Sequence, residues 1–132
     1  MKRICYMSRG RNTLSPFDRE DILQCSLRNN HRDGITGLLV CDGSRFLQAL
    51  EGEDWCIDDC WSRISRDDRQ YDTVVFENAA IERREFGNWA LNCHSQLMVD
   101  VSQFRSLVIR DVAGVSDPKL KAMFIGFAAL AR

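Results

Sequence analysis

Apolar and polar positions alternate with period two from Arg3 to Ser8, with Ile4, Tyr6 and Ser8 on one side and Cys5 and Met7 on the other. That period predicts a first strand, and Arg9-Gly10-Arg11-Asn12-Thr13 reads as the loop that ends it. The period then changes. Ser15 is placed to cap a helix, Pro16 suits its first position and Asp18 stands three residues after the cap. The stripe Ile22, Leu23 and Leu27, with Cys25 at its edge, carries this helix to about Asn30, and Ser26 and Asn30 lie one turn apart beside the stripe. Gly34 ends the connection. Ile35 to Cys41 predicts a second strand, Asp42-Gly43 a two-residue turn, and Arg45 to Glu51 a third strand antiparallel to the second.

Glu53-Asp54 supply the acidic start of a second helix with Ile57, Trp61 and Ile64 at helical spacing, Cys60 alongside, and an end before Asp67-Asp68. Thr73 to Phe76 predicts a fourth strand, and a fifth falls around Trp89 to Gln96. The order β-α-β-β-α-β-β describes an α+β, ferredoxin-like sandwich: a mixed sheet with two helices on one face. The other face would be bare, and an exposed apolar sheet is an association surface. A tail helix opened by Asp117-Pro118, with Leu120, Met123, Phe124, Phe127 and Leu130, can cover that face or meet a partner subunit. We therefore expect a sheet domain over residues 1–98 and a C-terminal helical extension over 99–132 packing on it.

One position breaks the pattern. Gln48 shares a strand face with Phe46 and Leu50, while Leu47 and Ala49 occupy the other, so both faces read as buried. A buried amide without partners costs about 1–3 kcal/mol, so Gln48 is expected to bond either to protein or to a polar ligand on that face. In the predicted fold the first and third strands are neighbours, which brings Tyr6 beside Gln48, and Asn30 projects toward the same space. The trio either satisfies itself inside the core or, with Ser26 and the apolar Ile22, Phe46 and Leu50, lines a slot for a flat heteroaromatic ligand.

Composition narrows the classes. A chain of 132 residues is one domain long and buries roughly two-thirds of its unfolded surface, so it needs no staples. A net charge of -1 argues against nucleic-acid binding by bulk charge. The N-terminal stretch does not resemble a secretory signal, and no apolar run reaches the roughly 20 residues of a membrane span. A cytoplasmic location is expected, with the six cysteines as free thiols. Cys56 and Cys60 share a helix face and Cys93-His94 adds two ligand types, but the spacing matches no Cys-x-x-Cys knuckle, so buried thiols are expected and no metal site.

Tyr6-x-Ser8, Arg28-Asn29-Asn30, Gly34-Ile35-Thr36-Gly37-Leu38-Leu39, Phe46-Leu47-Gln48-x-Leu50-Glu51-Gly52, Asp67-x-Arg69 and Phe86-x-x-Trp89 occur in this order. Over Arg3 to Leu91 the chain resembles the BLUF family, the sensors of blue light using FAD. The resemblance implies a non-enzymatic photoreceptor that holds a flavin non-covalently between the two helices, FAD by family default, with FMN and riboflavin as alternatives. It implies Asn30 and Gln48 at the ring's polar edge, and Ser26, Asn29 and Phe46 as further pocket residues. Arg69 would face the ribityl or phosphate portion or else solvent, as would Arg28 and Arg32. Tyr6 would be the photochemical donor of an electron and a proton. Gln48 would rearrange to give a reversible red-shifted state, and Trp89, pointing inward or outward, is a second donor candidate. The resemblance also implies a separate downstream protein and self-association.

The chain departs from the family pattern at Ala90-Leu91, where Ser then Met is usual, at Gln70, where His is common, and at Cys41 and Cys93. The alternatives are a thiol-redox protein using Cys56, Cys60 or Cys93-His94, and a flavin-free interaction module on the same fold.

Overall fold

The computed structural model describes residues 1–11, 15–86, 92–95 and 99–131. Its elements are β1 (Lys2–Gly10), α1 (Pro16–Arg32), β2 (Thr36–Cys41), β3 (Arg45–Gly52), α2 (Asp54–Ser65), β4 (Gln70–Ala80), β5 (Asn92–Ser95), α3 (Val101–Val112) and α4 (Pro118–Ala129). The five strands form one mixed sheet in the order β4-β1-β3-β2-β5. All neighbours run antiparallel except β2 and β5, which are parallel. The expected β-α-β-β-α-β-β order with two helices on one face is what forms.

The alternation along the central strands divides the core in two. Ile4, Leu39, Cys41, Phe46 and Leu50 pack with Ile22 and Leu23 of α1 and with Cys56, Ile57 and Cys60 of α2. Cys5, Leu38, Val40, Leu47 and Ala49 face the opposite way and pack with Phe104 and Val108 of α3 and Leu120, Phe124 and Phe127 of α4. Neighbouring side chains on a strand point to opposite faces, so a run with no polar break requires cover on both.

Local chemistry sets the boundaries. The Ser15 side chain accepts from the Asp18 amide and the Asp18 carboxylate accepts from the Ser15 amide, both at 3.1 Å, closing the expected capping box. Helix α1 runs one half-turn past Asn30 to Arg32 and stops before Gly34, whose φ of 67° is one that L side chains rarely adopt. The hairpin turn sits one residue later than predicted. Asp42 and Arg45 close it around Gly43 and Ser44, because the Asp42 carboxylate accepts from the backbone amides of Ser44 and Arg45 at 3.1 and 2.8 Å.

Three expectations change. Strand β4 covers eleven residues, not the four from Thr73 to Phe76, since pairing with β1 extends through its polar flanks. The fifth strand is confined to Asn92–Ser95, and Trp89, Ala90 and Leu91 lie outside the described residues. Helix α3 was placed by no stripe in the sequence reading, although Asp100 and Gln103 form a capping box ahead of Phe104, Val108 and Val112. Among the described residues no helix is long and apolar enough to cross a membrane.

Candidate functional site

Tyr6 of β1 and Gln48 of β3 are direct cross-strand partners. The register places both side chains on the α1/α2 side, where the Tyr6 hydroxyl donates to Gln48 Oε1 at 2.5 Å. Asn30 approaches from the last turn of α1, and its backbone carbonyl accepts from the Ile35 amide at 2.9 Å as the chain turns into β2. Tyr6, Asn30 and Gln48 are 2%, 1% and 1% exposed. The trio does not satisfy itself: among the described residues Asn30 Nδ2 and Gln48 Nε2 are buried without any hydrogen-bond partner. Two such donors in one native core need an external explanation.

Both amides line a cavity of about 270 Å³ between α1, α2 and the sheet. Of the pocket residues expected from the sequence, Tyr6, Ile22, Ser26, Asn29, Asn30, Phe46, Gln48 and Arg69 line it. Leu50 is buried but not part of the lining. Trp89 lies outside the described residues. The lining also includes Cys25, Leu39, Cys60, Arg63, Ile64, Asp67 and Gln70. Of these, Cys60, Arg63, Ile64 and Asp67 follow one another at helical i, i+3, i+4 and i+7 spacing, a signal that reads as packing until α1 is placed opposite.

The electrostatics are local. Burial, and after it the neighbouring Cys60, Asp67 and Cys5, pushes the Tyr6 phenol well above its ordinary range, so it is a neutral donor at any ordinary pH. Trp61 packs edge-on against its ring at 5.0 Å. At the polar end, Arg69 is held by Asp67 at 2.9 and 3.0 Å and by Asp21 at 3.2 Å. Burial opposes ionisation of Asp67, but hydrogen bonds from Arg69 outweigh it and hold that carboxyl below the usual range. Gln70, in the place of the common His, accepts from the Ser8 hydroxyl. Arg28 is exposed against Cys25, and Arg32 is paired with Asp33, so neither lines the cavity.

The described thiols form no metal-binding group. Cys56 and Cys60 are 5% and 4% exposed members of the core, and no cluster that could hold a metal exists among the described residues. The Cys60 thiol instead lies 3.4 Å from Asn30 Oδ1. What the site offers is two fixed amide donors at one polar edge, apolar walls and a phenol behind one amide. That donor set fits a flat ring whose edge carries acceptors.

The family model described as "Sensors of blue-light using FAD" matches residues 1–92. The photoactivated adenylate cyclase subunit beta of Euglena gracilis is 27% identical over 97 residues, covering 73% of this chain and 11% of that protein. Its counterpart from Euglena longa is 26% identical over 91 residues, 67% of this chain and 11% of that protein. The chain thus spans about a tenth of the curated relatives it matches. The dark-state structure of BlrB, a BLUF protein, superposes with a TM-score of 0.72 at 28% identity, covering 97% of this chain and 95% of that one. A bacterial light-regulated adenylyl cyclase gives 0.69 at 28% identity, over 97% of this chain and 34% of that one. The chain belongs to the BLUF family, and the domain it forms is a flavin-binding blue-light photoreceptor.

Proposed function

We propose that the cavity holds the ring of a non-covalent flavin with Asn30 and Gln48 at its polar edge, and that Tyr6 and Gln48 are the light-operated pair. The observation that carries this reading is the pair of buried amide nitrogens, Asn30 Nδ2 and Gln48 Nε2, that lack protein partners beside one cavity. A bound flavin supplies absorption of blue light and, when excited, an acceptor for an electron and a proton. Tyr6 is suited to release both, since a buried phenol has no stable anion to stop at. While Tyr6 donates to Oε1, the Gln48 amide is locked with Nε2 inward. Loss of that donor frees the amide to exchange its oxygen and nitrogen, which changes the hydrogen bonding at the cavity without changing any charge. Trp89, the second donor candidate, keeps that standing.

Ser26, Asn29 and Phe46 complete the pocket in this reading. A volume of about 270 Å³ is close to the lower end of small-molecule sites, roughly 300–1,000 Å³, so the rest of the ligand leaves through the polar mouth. A phosphate there has to compete with Asp67 and Asp21 for Arg69. FAD is the reading the family name favours; FMN and riboflavin are the alternatives.

The output is proposed to pass to a separate protein in the cytoplasm, from a sensor domain over 1–98 carrying a helical extension over 99–132. Self-association through the outer edge of β4 is part of the proposal. Val74, Val75 and Phe76 are 53%, 45% and 48% exposed there, and β4 contains no Lys, Arg or Pro to block pairing. A two-fold axis at Val75 sets Val74 against Phe76 and Thr73 against Glu77, with no like charges opposed.

The test is the absorption spectrum in the dark, under blue light and through recovery. A flavin band that shifts reversibly to the red is expected, with Gln48→Leu keeping the flavin but losing the shift and Tyr6→Phe forming little or no shifted state. Protein that binds no flavin, or a normal photocycle in either variant, refutes the assignment.

A further inference from the structure

Tyr6 behind Gln48 is one of two such arrangements in this cavity. The other is Cys60 of α2 behind Asn30 of α1, with Sγ 3.4 Å from Oδ1 and both residues buried. A thiol carries one proton and can also accept, so the pair alone admits two arrangements: S–H donating to Oδ1, or Nδ2 donating to sulfur. Arg63, three residues on in α2 and anchored by Asp33 at 3.2 Å and Asp59 at 3.1 Å, lines the same cavity. The structure has the first arrangement, with the thiol as donor and Oδ1 as acceptor. Nδ2 is then the atom without a protein partner, as observed.

We propose that Cys60 is a positioning residue that locks the Asn30 amide with its NH₂ toward the cavity. The inference rests on the flavin reading only for what Asn30 then binds. It makes the two amides equivalent in the dark and unequal in the light. Tyr6 can surrender its proton together with an electron, which releases Gln48. Burial raises the Cys60 thiol against the opposing pull of Arg63, so Cys60 remains a protonated donor and Asn30 stays in place. One donor grips the ligand while the other turns.

The test uses the whole chain as wild type, Cys60→Ser and Cys60→Ala, with FMN and riboflavin titrated into ligand-free protein and binding followed by flavin fluorescence. Losing one neutral hydrogen bond predicts roughly two- to tenfold weaker binding in Cys60→Ala, while Cys60→Ser, which keeps a donor, stays within about twofold of wild type. The dark absorption band should move in Cys60→Ala and return in Cys60→Ser. Infrared difference spectra between wild type and Cys60→Ser isolate the Cys60 S–H stretch, which should lie at the lower frequency of a donating thiol and stay there under illumination. Wild-type affinity and an unmoved band in Cys60→Ala, or an S–H stretch at the free-thiol position, would overturn the proposal. Because the S–H band is read in ligand-free protein before it is followed under illumination in the flavin-loaded form, it tests the lock even if Cys60→Ala fails to fold. Wild-type protein that binds neither FMN nor riboflavin, nor FAD in a parallel titration, refutes the flavin reading, and the lock then stands or falls on that band alone.

Discussion

Cys5 and Tyr6 are consecutive in β1 and point to opposite faces of the sheet, and both are acids kept neutral by burial. Burial, followed by the charge of Glu77, pushes the Cys5 thiol from 9.0 up to about 12. The Tyr6 phenol is raised from 10.0 by burial first and neighbouring groups second. For both, the folded state keeps a proton that the unfolded chain gives up, so their stabilisation is complete below the unfolded value and is lost as pH rises. Urea unfolding midpoints should therefore decline from pH 9.0 upward, with Tyr6 adding to the slope above 10.0. In Cys5→Ala the decline should be shallower between 9.0 and about 12; profiles that coincide would remove Cys5 from this role. Tyr6, Asn30 and Gln48 were legible in the sequence because a polar residue in an apolar strand or beside an apolar stripe stands out. Cys60 was not, since a thiol at helical spacing looks like packing until its neighbour on another helix is known.

At the scale of elements, β3 carries one buried polar residue to each face. Gln48 turns to the cavity, and three residues on, fully buried Glu51 turns to the other side. Its carboxylate accepts from the Thr36 hydroxyl at 2.9 Å and from the backbone amides of Glu85 and Phe86 at 2.9 and 2.8 Å, and it lies 4.0 Å from Arg3. Arg3 also pairs with Glu77 of β4 and, at 3.3 Å, with Asp117, which caps α4. The Glu85 carboxylate accepts from the Ser116 amide and hydroxyl at 2.7 and 2.6 Å. One end of β3 is thus fastened to the segment leading toward β5 and to the start of α4. Replacing Glu51 by Ala leaves the Thr36 hydroxyl and the Glu85 and Phe86 amides without their acceptor, and should cost about 3 kcal/mol or more in urea unfolding. Glu51→Gln keeps an acceptor and should cost less. A loss below about 1 kcal/mol in Glu51→Ala would show that the clamp is not holding the fold. The alternation of β3 marks Glu51 as inward-facing, but its partners come from residues 84–86, too far along the chain for any local pattern to supply.

For the whole molecule, the face opposite the cavity is covered by α3 and α4, and the exposed apolar surface that remains includes the outer edge of β4. If two copies pair there, Val75→Lys should bring like charges together at the axis and shift the protein to monomer in light scattering, with its unfolding midpoint and flavin spectrum unchanged. A wild type that is monomeric at every concentration, or a variant that associates equally well, would refute pairing through this edge. The order of elements from β1 to β5, the starts of α1 and α4 and the two-sided burial of the central strands followed from the sequence, because strand period, helix period and turn chemistry are local properties of neighbouring residues. So did the chemical identity of the central trio. The full length of β4 did not, because an edge strand is held by backbone pairing and needs no apolar pattern. Only the tertiary structure decided that Tyr6 satisfies Gln48 on one side alone, that Cys60 stands behind Asn30, and that two donors are left facing a cavity. Hydrogen-bond satisfaction depends on groups brought together from different elements, and that information exists only once the chain has folded.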